Sequence, residues 1–167
     1  MNKSKASAHK TKNSLPEKVR IQVAGSLQDR LADSIDLMIQ AKQAHWNVKG
    51  PSFIALHELF DKLSEDSEEY VDLLAERIVQ LGGVTEGTIR LAAKKSQLPE
   101  YPLSAVAGKD HVEALSRSLA VYGESVRKAI DDFDELGDKA TADIMTEISR
   151  GADKYLWFIE SHTLADR

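Results

Sequence analysis

The sequence predicts an all-α protein, a bundle of four long helices in two hairpins joined by one long crossover. Two observations predict it. Apolar residues recur at steps of three and four over four separate stretches of more than twenty residues, and no segment alternates with the period of a strand. Gly50 and Gly137 mark short links inside each pair, and Gly82-Gly83 stops the second helix before the link between the pairs, which runs over about 84–108.

Residues 1–15, MNKSKASAHKTKNSL, are polar, basic and nearly free of apolar side chains. They read as a disordered tail, and residues 16–167 as the bundle domain. Pro16 sits where a first helical turn tolerates proline. From about 17 to 46, Val19, Val23, Leu27, Leu31, Ile35 and Met38 mark one face of the first long helix. Gly50-Pro51-Ser52 breaks it, with Ser52 as the expected N-cap of the second. That helix, about 53–81, repeats Leu56, Leu59, Phe60, Leu63, Tyr70, Val71, Leu74, Ile78 and Leu81. The crossover contains Gly87, Pro99, Pro102 and Gly108, with room for a short helix at 88–95. The third long helix, about 109–135, repeats Val112, Leu115, Leu119, Tyr122, Val126, Ile130 and Phe133. The fourth, about 139–163, repeats Ile144, Ile148, Ala152, Tyr155 and Ile159. Two hairpins and one long crossover are the arrangement of ferritin-like bundles.

Composition excludes several chemistries. There is no cysteine among 167 residues, so disulfides, thiolate metal sites and cysteine nucleophiles are out, and a reducing cytosol fits. No apolar run approaches the roughly 20 residues of a membrane span. The net charge of −5 is uneven: six cations against Glu17 alone give residues 1–20 a balance of +5, which leaves −10 for the rest. Glycine-rich phosphate loops, G-x-S-x-G, H-E-x-x-H and the Glu-x-x-His of larger ferritins are all absent.

What remains is a constellation of ligand-type residues. His45 closes the first helix, and the second carries His57, Asp61, Asp72 and Glu76. At about 100° per residue these four lie within an arc of roughly 100°. Each alone fits a solvated face or an ordinary histidine; the spacing singles them out. His57/Asp61 and Asp72/Glu76 are i,i+4 pairs, but the pairs stand roughly 16 Å apart along the axis, too far for one metal. They are arranged symmetrically about a point between Asp66 and Ser67. Two copies packed antiparallel about that point would set His57 against Glu76 of the partner and Asp61 against Asp72 of the partner. Two identical sites result, each with two histidines and three carboxylates. Such a set suits iron, with zinc and manganese as competitors.

The stretch QAHWNVKGPSFIALHELFDKLSEDSEEYVDLLAERIVQLGG, and the C-terminal run TADIMTEISRGADKYLWFIESH, resemble the Dps family, the mini-ferritins that protect DNA in starved bacteria. The resemblance implies a cytoplasmic, nucleoid-associated, dodecameric shell with ferroxidase sites at two-fold interfaces. His45, His57 and Asp61 would come from one chain and Asp72 and Glu76 from its partner. It further implies oxidation of ferrous iron, preferably by hydrogen peroxide, and storage of ferric mineral. It places Trp46 beside the site, either to intercept stray oxidising equivalents or as packing at a helix end. Asp134, Asp138 and Asp143 resemble the family's iron pore at a three-fold axis, where carboxylates concentrate cations; Lys139 departs from that pattern.

A second departure is SEDSEE, which sets Glu65, Asp66, Glu68 and Glu69 at the centre of the expected two-fold. Like charges crowd there unless some line the cavity and help nucleate mineral. Lys3, Lys5, Lys10 and Lys12 form a cationic arm with no base-reading motif beside it, so DNA binding would be to phosphates, without sequence preference. A nucleoid-architectural protein with a secondary metal site is the alternative function. It needs the arm but not the histidines and carboxylates.

Overall fold

The computed structural model describes residues 9–164. It contains five helices, α1 Glu17–Asn47, α2 Phe53–Gln80, α3 Ile89–Lys95, α4 Gly108–Glu135 and α5 Lys139–Glu160, and no strand among the described residues. The chain is all-α, as expected. Each long helix starts and stops within a residue of its expected position except α5, which ends three residues early. Ile159 is the last side chain the core holds, and Ser161 and His162 turn back through bonds from their amides to the carbonyls of Trp157 and Ile159.

Two helix ends are built alike. At the end of α2, Gly83 N–H donates to Ile78 O and Gly82 N–H to Val79 O, both at 2.9 Å. At the end of α4, Asp138 N–H donates to Phe133 O and Gly137 N–H to Asp134 O, again at 2.9 Å. Gly82 and Gly137 have φ of 90° and 79°. This double bond pattern requires a left-handed residue, which glycine supplies without strain. Ser52 precedes α2 as expected, but its side chain makes no capping hydrogen bond. Its backbone is not in the extended conformation a capping side chain needs (φ −95°, ψ 21°).

One core runs through the bundle. Leu27, Leu31 and Leu37 of α1 pack with Phe60, Leu63 and Leu74 of α2, Leu115, Tyr122 and Phe133 of α4, and Ile148 and Tyr155 of α5. Buried hydroxyls fix the register between the hairpins. Ser34 Oγ and Tyr122 Oη are 2.7 Å apart, and Ser118 Oγ donates to Gln40 Oε1. The crossover is tied down along α1: Gln97 N–H donates to Asp33, Ser96 Oγ to Asp36, and Gln40 Nε2 to Pro99 O. At the far end, Lys49 and Ala107 form an isolated bridge joining the α1–α2 turn to the start of α4. Of the predicted tail, residues 1–8 lie outside the described residues. The segment from His9 runs across the end of α2, where His9 N–H donates to Gly82 O and Arg20 holds the carbonyls of Leu15 and Leu81.

Candidate metal centre

The turn at Val48–Ser52 folds the end of α1 onto the start of α2 and brings His45 against His57. Their rings stack with centroids 3.7 Å apart and planes 20° from parallel. His45 Nδ1 lies 2.8 Å from His57 O, and His57 Nδ1 lies 2.9 Å from His45 O. A carbonyl only accepts, so each Nδ1 must carry the ring hydrogen. Each Nε2 is then left with a free lone pair, the form in which a histidine binds a metal. The backbone thus sets both tautomers before any cation arrives.

Asp61 follows one turn after His57. Its Oδ1 accepts a hydrogen bond from Lys42 Nζ and lies 3.9 Å from His45 Nδ1. The Lys42 ammonium holds the Asp61 carboxyl below the usual carboxylate range, and the nearby histidines add to the effect. The carboxylate is already paired with an ammonium of the same chain, so a cation bound there would share Asp61 with Lys42 or displace it.

Asp72 and Glu76 lie further along α2, exposed on the same helical face, and neither makes a hydrogen bond or ion pair among the described residues. About 16 Å of helix separates Asp72 from Asp61, and roughly 22 Å separates Glu76 from it. No three His, Asp or Glu of the described residues gather closely enough to hold a metal ion. The chain stacks His45 on His57 and sets Asp61 beside them without closing a three-ligand cluster, and it leaves Asp72 and Glu76 apart. Trp46 is exposed beside His45, with 65% of its surface open.

The expected pore residues divide. Asp134 and Asp143 are exposed, and Lys139 Nζ stands 3.9 Å from Asp134. Asp138 is a correction: it is 2% exposed and fully engaged within the chain. It accepts Arg77 Nη2 on both oxygens at 2.8 and 3.0 Å, and it caps α5 through Thr141 N–H and Thr141 Oγ1. An acid at a helix start satisfies the free amides there, and that role occupies the carboxylate a pore would use. Among the central acids, Asp66 turns toward α5, where Tyr155 Oη donates to it at 2.6 Å and Lys62 pairs with it at 2.8 Å. Burial pushes the Asp66 carboxyl up, but those two partners bring it below its ordinary value. Glu65, paired with Lys62, and Glu68 and Glu69 stay exposed. Lys10 and Lys12 are exposed on the anchored segment, while Lys3 and Lys5 lie outside the described residues.

Two features escaped the sequence reading. Lys42 stands one turn before His45, but that spacing does not say that it meets Asp61, 19 residues away. The Arg77–Asp138 pair gave no signal, because it joins positions 61 residues apart. Among the described residues no helix is long and apolar enough to cross a membrane.

Comparison with known proteins gives a consistent result. A ferritin-like domain model matches residues 24–165. The DNA protection during starvation protein of Agrobacterium fabrum is 47% identical over 92% of this chain and 95% of its own length. The Mycobacterium smegmatis Dps structure in its tetragonal form superposes with a TM-score of 0.87 at 32% identity, covering 92% of this chain and 94% of that one. The Microbacterium arborescens Dps in its high iron form gives 0.82 at 34% identity, covering 90% and 97%.

Proposed function

Because the chain belongs to the ferritin-like family and, within it, to the DNA protection during starvation (Dps) proteins, we propose that it oxidises ferrous iron, preferably with hydrogen peroxide, and stores the ferric product inside a dodecameric shell. Iron is the substrate. His45, His57 and Asp61 of one chain would hold it together with Asp72 and Glu76 of a second chain related by a two-fold axis.

The observation that carries this reading is the symmetry of the exposed face of α2. The ligand-type residues flank the midpoint between Asp66 and Ser67 in equal steps, and two exposed apolar side chains do the same. Ile54, 60% exposed, and Val79, 45% exposed, share the ligand face and stand equally far from that midpoint. The antiparallel pairing that unites the ligands would therefore also bury Ile54 against Val79 of the partner. The turn of Asp66 toward Tyr155 removes one acid from the crowded centre, which eases the repulsion there.

The chemistry follows from the residue types. Three carboxylates offset the charge of ferrous iron and stabilise the ferric product more strongly, since the attraction grows with cation charge. Two neutral imidazoles add affinity without adding charge and leave positions open for the oxidant. Each ferrous ion gives one electron to peroxide, which is reduced to water. Asp134 and Asp143, without Asp138, would draw cations toward a passage between subunits.

A complementation experiment tests the shared site. One variant carries His45→Ala, His57→Ala and Asp61→Ala; the other carries Asp72→Ala and Glu76→Ala. Each assembled alone should lose rapid iron oxidation. Co-expressed, each mixed dimer regains one intact site of its two, so activity should return in part. No recovery in verified mixed assemblies would show that the halves do not join.

DNA binding is a second part of the proposal, supported by the basic balance of residues 1–20 against the acidic remainder. Many weak arms on one shell would act together.

A further inference from the structure

Tyr101 and His111 form a pair that the iron site does not use. Tyr101 stands in the crossover and His111 in the first turn of α4. Tyr101 Oη lies 2.5 Å from His111 Nδ1, and the two rings are 6.1 Å apart between centroids. His111 is completely buried, and its Nε2 has no hydrogen-bond partner. The carbonyls of Val106 and Asn47 face the ring and favour its protonated form, though neither makes a well-aligned bond to Nε2. Carbonyls only accept, so the ring hydrogen belongs on Nε2, and Nδ1 offers its lone pair to the phenol.

The resting pair is neutral on both sides. Burial pushes the Tyr101 hydroxyl well above its usual range and the His111 imidazole below its own. Asp110 favours a charged His111, and Lys49 opposes it. A phenol in this setting does not release its proton to water. It has, 2.5 Å away, a neutral base able to take that proton if an electron leaves at the same time.

The pair lies behind the wall that carries His45, His57 and Asp61. Asn47, whose carbonyl faces His111, follows Trp46 at the end of α1. Phe60, with its ring 6.3 Å from His111, immediately precedes Asp61. Lys49 N–H to Val106 O and Gly108 N–H to Lys49 O hold the two chain segments together at 3.2 and 3.1 Å.

We propose that Tyr101 and His111 form a proton-coupled redox pair, in which Tyr101 gives an electron to a strong one-electron oxidant while its proton passes to His111. The Oη–H bond breaks and an N–H bond forms at Nδ1. With hydroxyl radical as oxidant, the products are a neutral tyrosyl radical, an imidazolium and hydroxide. Ferrous iron can reverse the step: it becomes ferric, and its electron and the proton on Nδ1 restore the phenol. The pair thus converts an indiscriminate oxidant into a partly buried tyrosyl radical that substrate iron can quench. The identity of that oxidant rests on the ferrous-iron and peroxide reading above, but the redox property of the pair does not.

The test accordingly uses no iron. Assembled protein carrying Trp46→Phe and Trp157→Phe, which removes the exposed indoles, is oxidised by photogenerated tris-bipyridine ruthenium(III). Electron paramagnetic resonance then reads tyrosyl radical. The reference protein should give the signal, more slowly in heavy water. Adding Tyr101→Phe should abolish most of it. Adding His111→Gln, which still accepts a hydrogen bond but is not a base, should diminish it with Tyr101 in place. No tyrosyl signal in the reference protein, an undiminished signal in the Tyr101→Phe protein, or equal signals with His111 and Gln would each overturn the proposal. Tyr101→Phe alters no packing volume beyond one hydroxyl, so it remains decisive if His111→Gln fails to assemble. Iron consumption, measured separately, tests the ferroxidase reading alone.

Discussion

Replacing Asp138 by alanine should destabilise the protein substantially, and the size follows from what the carboxylate does. It is the counter-charge of Arg77, whose side chain is only 11% exposed, and it is also the cap of α5. Removing one partner of a buried ion pair costs about 3–5 kcal/mol, and losing an N-cap costs about 1 kcal/mol. Arg77 keeps Thr141 Oγ1 at 2.8 Å and Gln80 Oε1 at 3.3 Å as hydrogen-bond partners. That residual solvation places the total near the low end, about 4 kcal/mol. For a chain of this length each kcal/mol moves Tm by about 2–4 °C, so the expected fall is roughly 8–16 °C. Scanning calorimetry at one fixed protein concentration is the suitable assay, because Tm of an oligomer depends on concentration. Asp138→Asn keeps a capping oxygen and loses the charge, so it should fall between wild type and alanine. Adding Arg77→Met to Asp138→Ala should recover part of the loss, since no buried charge is then left alone. A fall below about 2 °C, less than 1 kcal/mol on the same scale, would refute the strut. Unchanged stability with slowed iron uptake in Asp138→Asn would restore the pore assignment.

Three further outcomes are expected. Gly151→Ala should destabilise by about 1–3 kcal/mol, because a methyl group there would clash with Tyr70 Oη; chemical unfolding would show it, and a neutral result would mean that Tyr70 moves aside freely. Burial raises the carboxyl of Asp33 above its ordinary value, against the pull of Gln97 N–H and Arg30. The native chain then holds that proton more tightly than the unfolded one, and stability falls as pH rises through the window between the ordinary and the raised value. Relative to Asp33→Asn, wild type should gain stability in urea titrations as pH drops from neutrality toward about 4, and a flat or opposite difference would refute this. Changing Lys3, Lys5, Lys10 and Lys12 together to glutamine should abolish a DNA mobility shift seen at low salt and leave iron oxidation intact; an equal shift would remove the basic segment from the proposal.

The helices were legible because each buries one continuous stripe of apolar residues, and the glycines that end them announce a left-handed turn. The histidine half of the centre was legible for a related reason: His57 and Asp61 differ by one turn, and only a hairpin intervenes between them and His45. Lys42 was not, since a lysine beside a ligand helix reads as a solvated charge until the fold shows which carboxylate it meets. Asp138 was misread because a carboxylate at a helix start and a carboxylate at a pore look alike in sequence; only burial and the distant Arg77 separate them. His111 carried no signal at all. Its partner sits in an irregular crossover, where periodicity says nothing about which side chains point inward.

The reciprocal bonds between each histidine ring and the other's backbone have a thermodynamic consequence. A ligand that swings freely must be immobilised when it binds, and that ordering subtracts from affinity. Here the imidazoles are already immobilised, by carbonyls belonging to the same two residues. If the proposed iron site forms, preorganisation of this kind would make its selectivity a property of the hairpin rather than of the rings alone. Lengthening the turn between Asn47 and Phe53 by one residue would keep both histidines in the sequence, yet it would return the rings to rotational freedom and remove whatever preorganisation the proposed site draws from them.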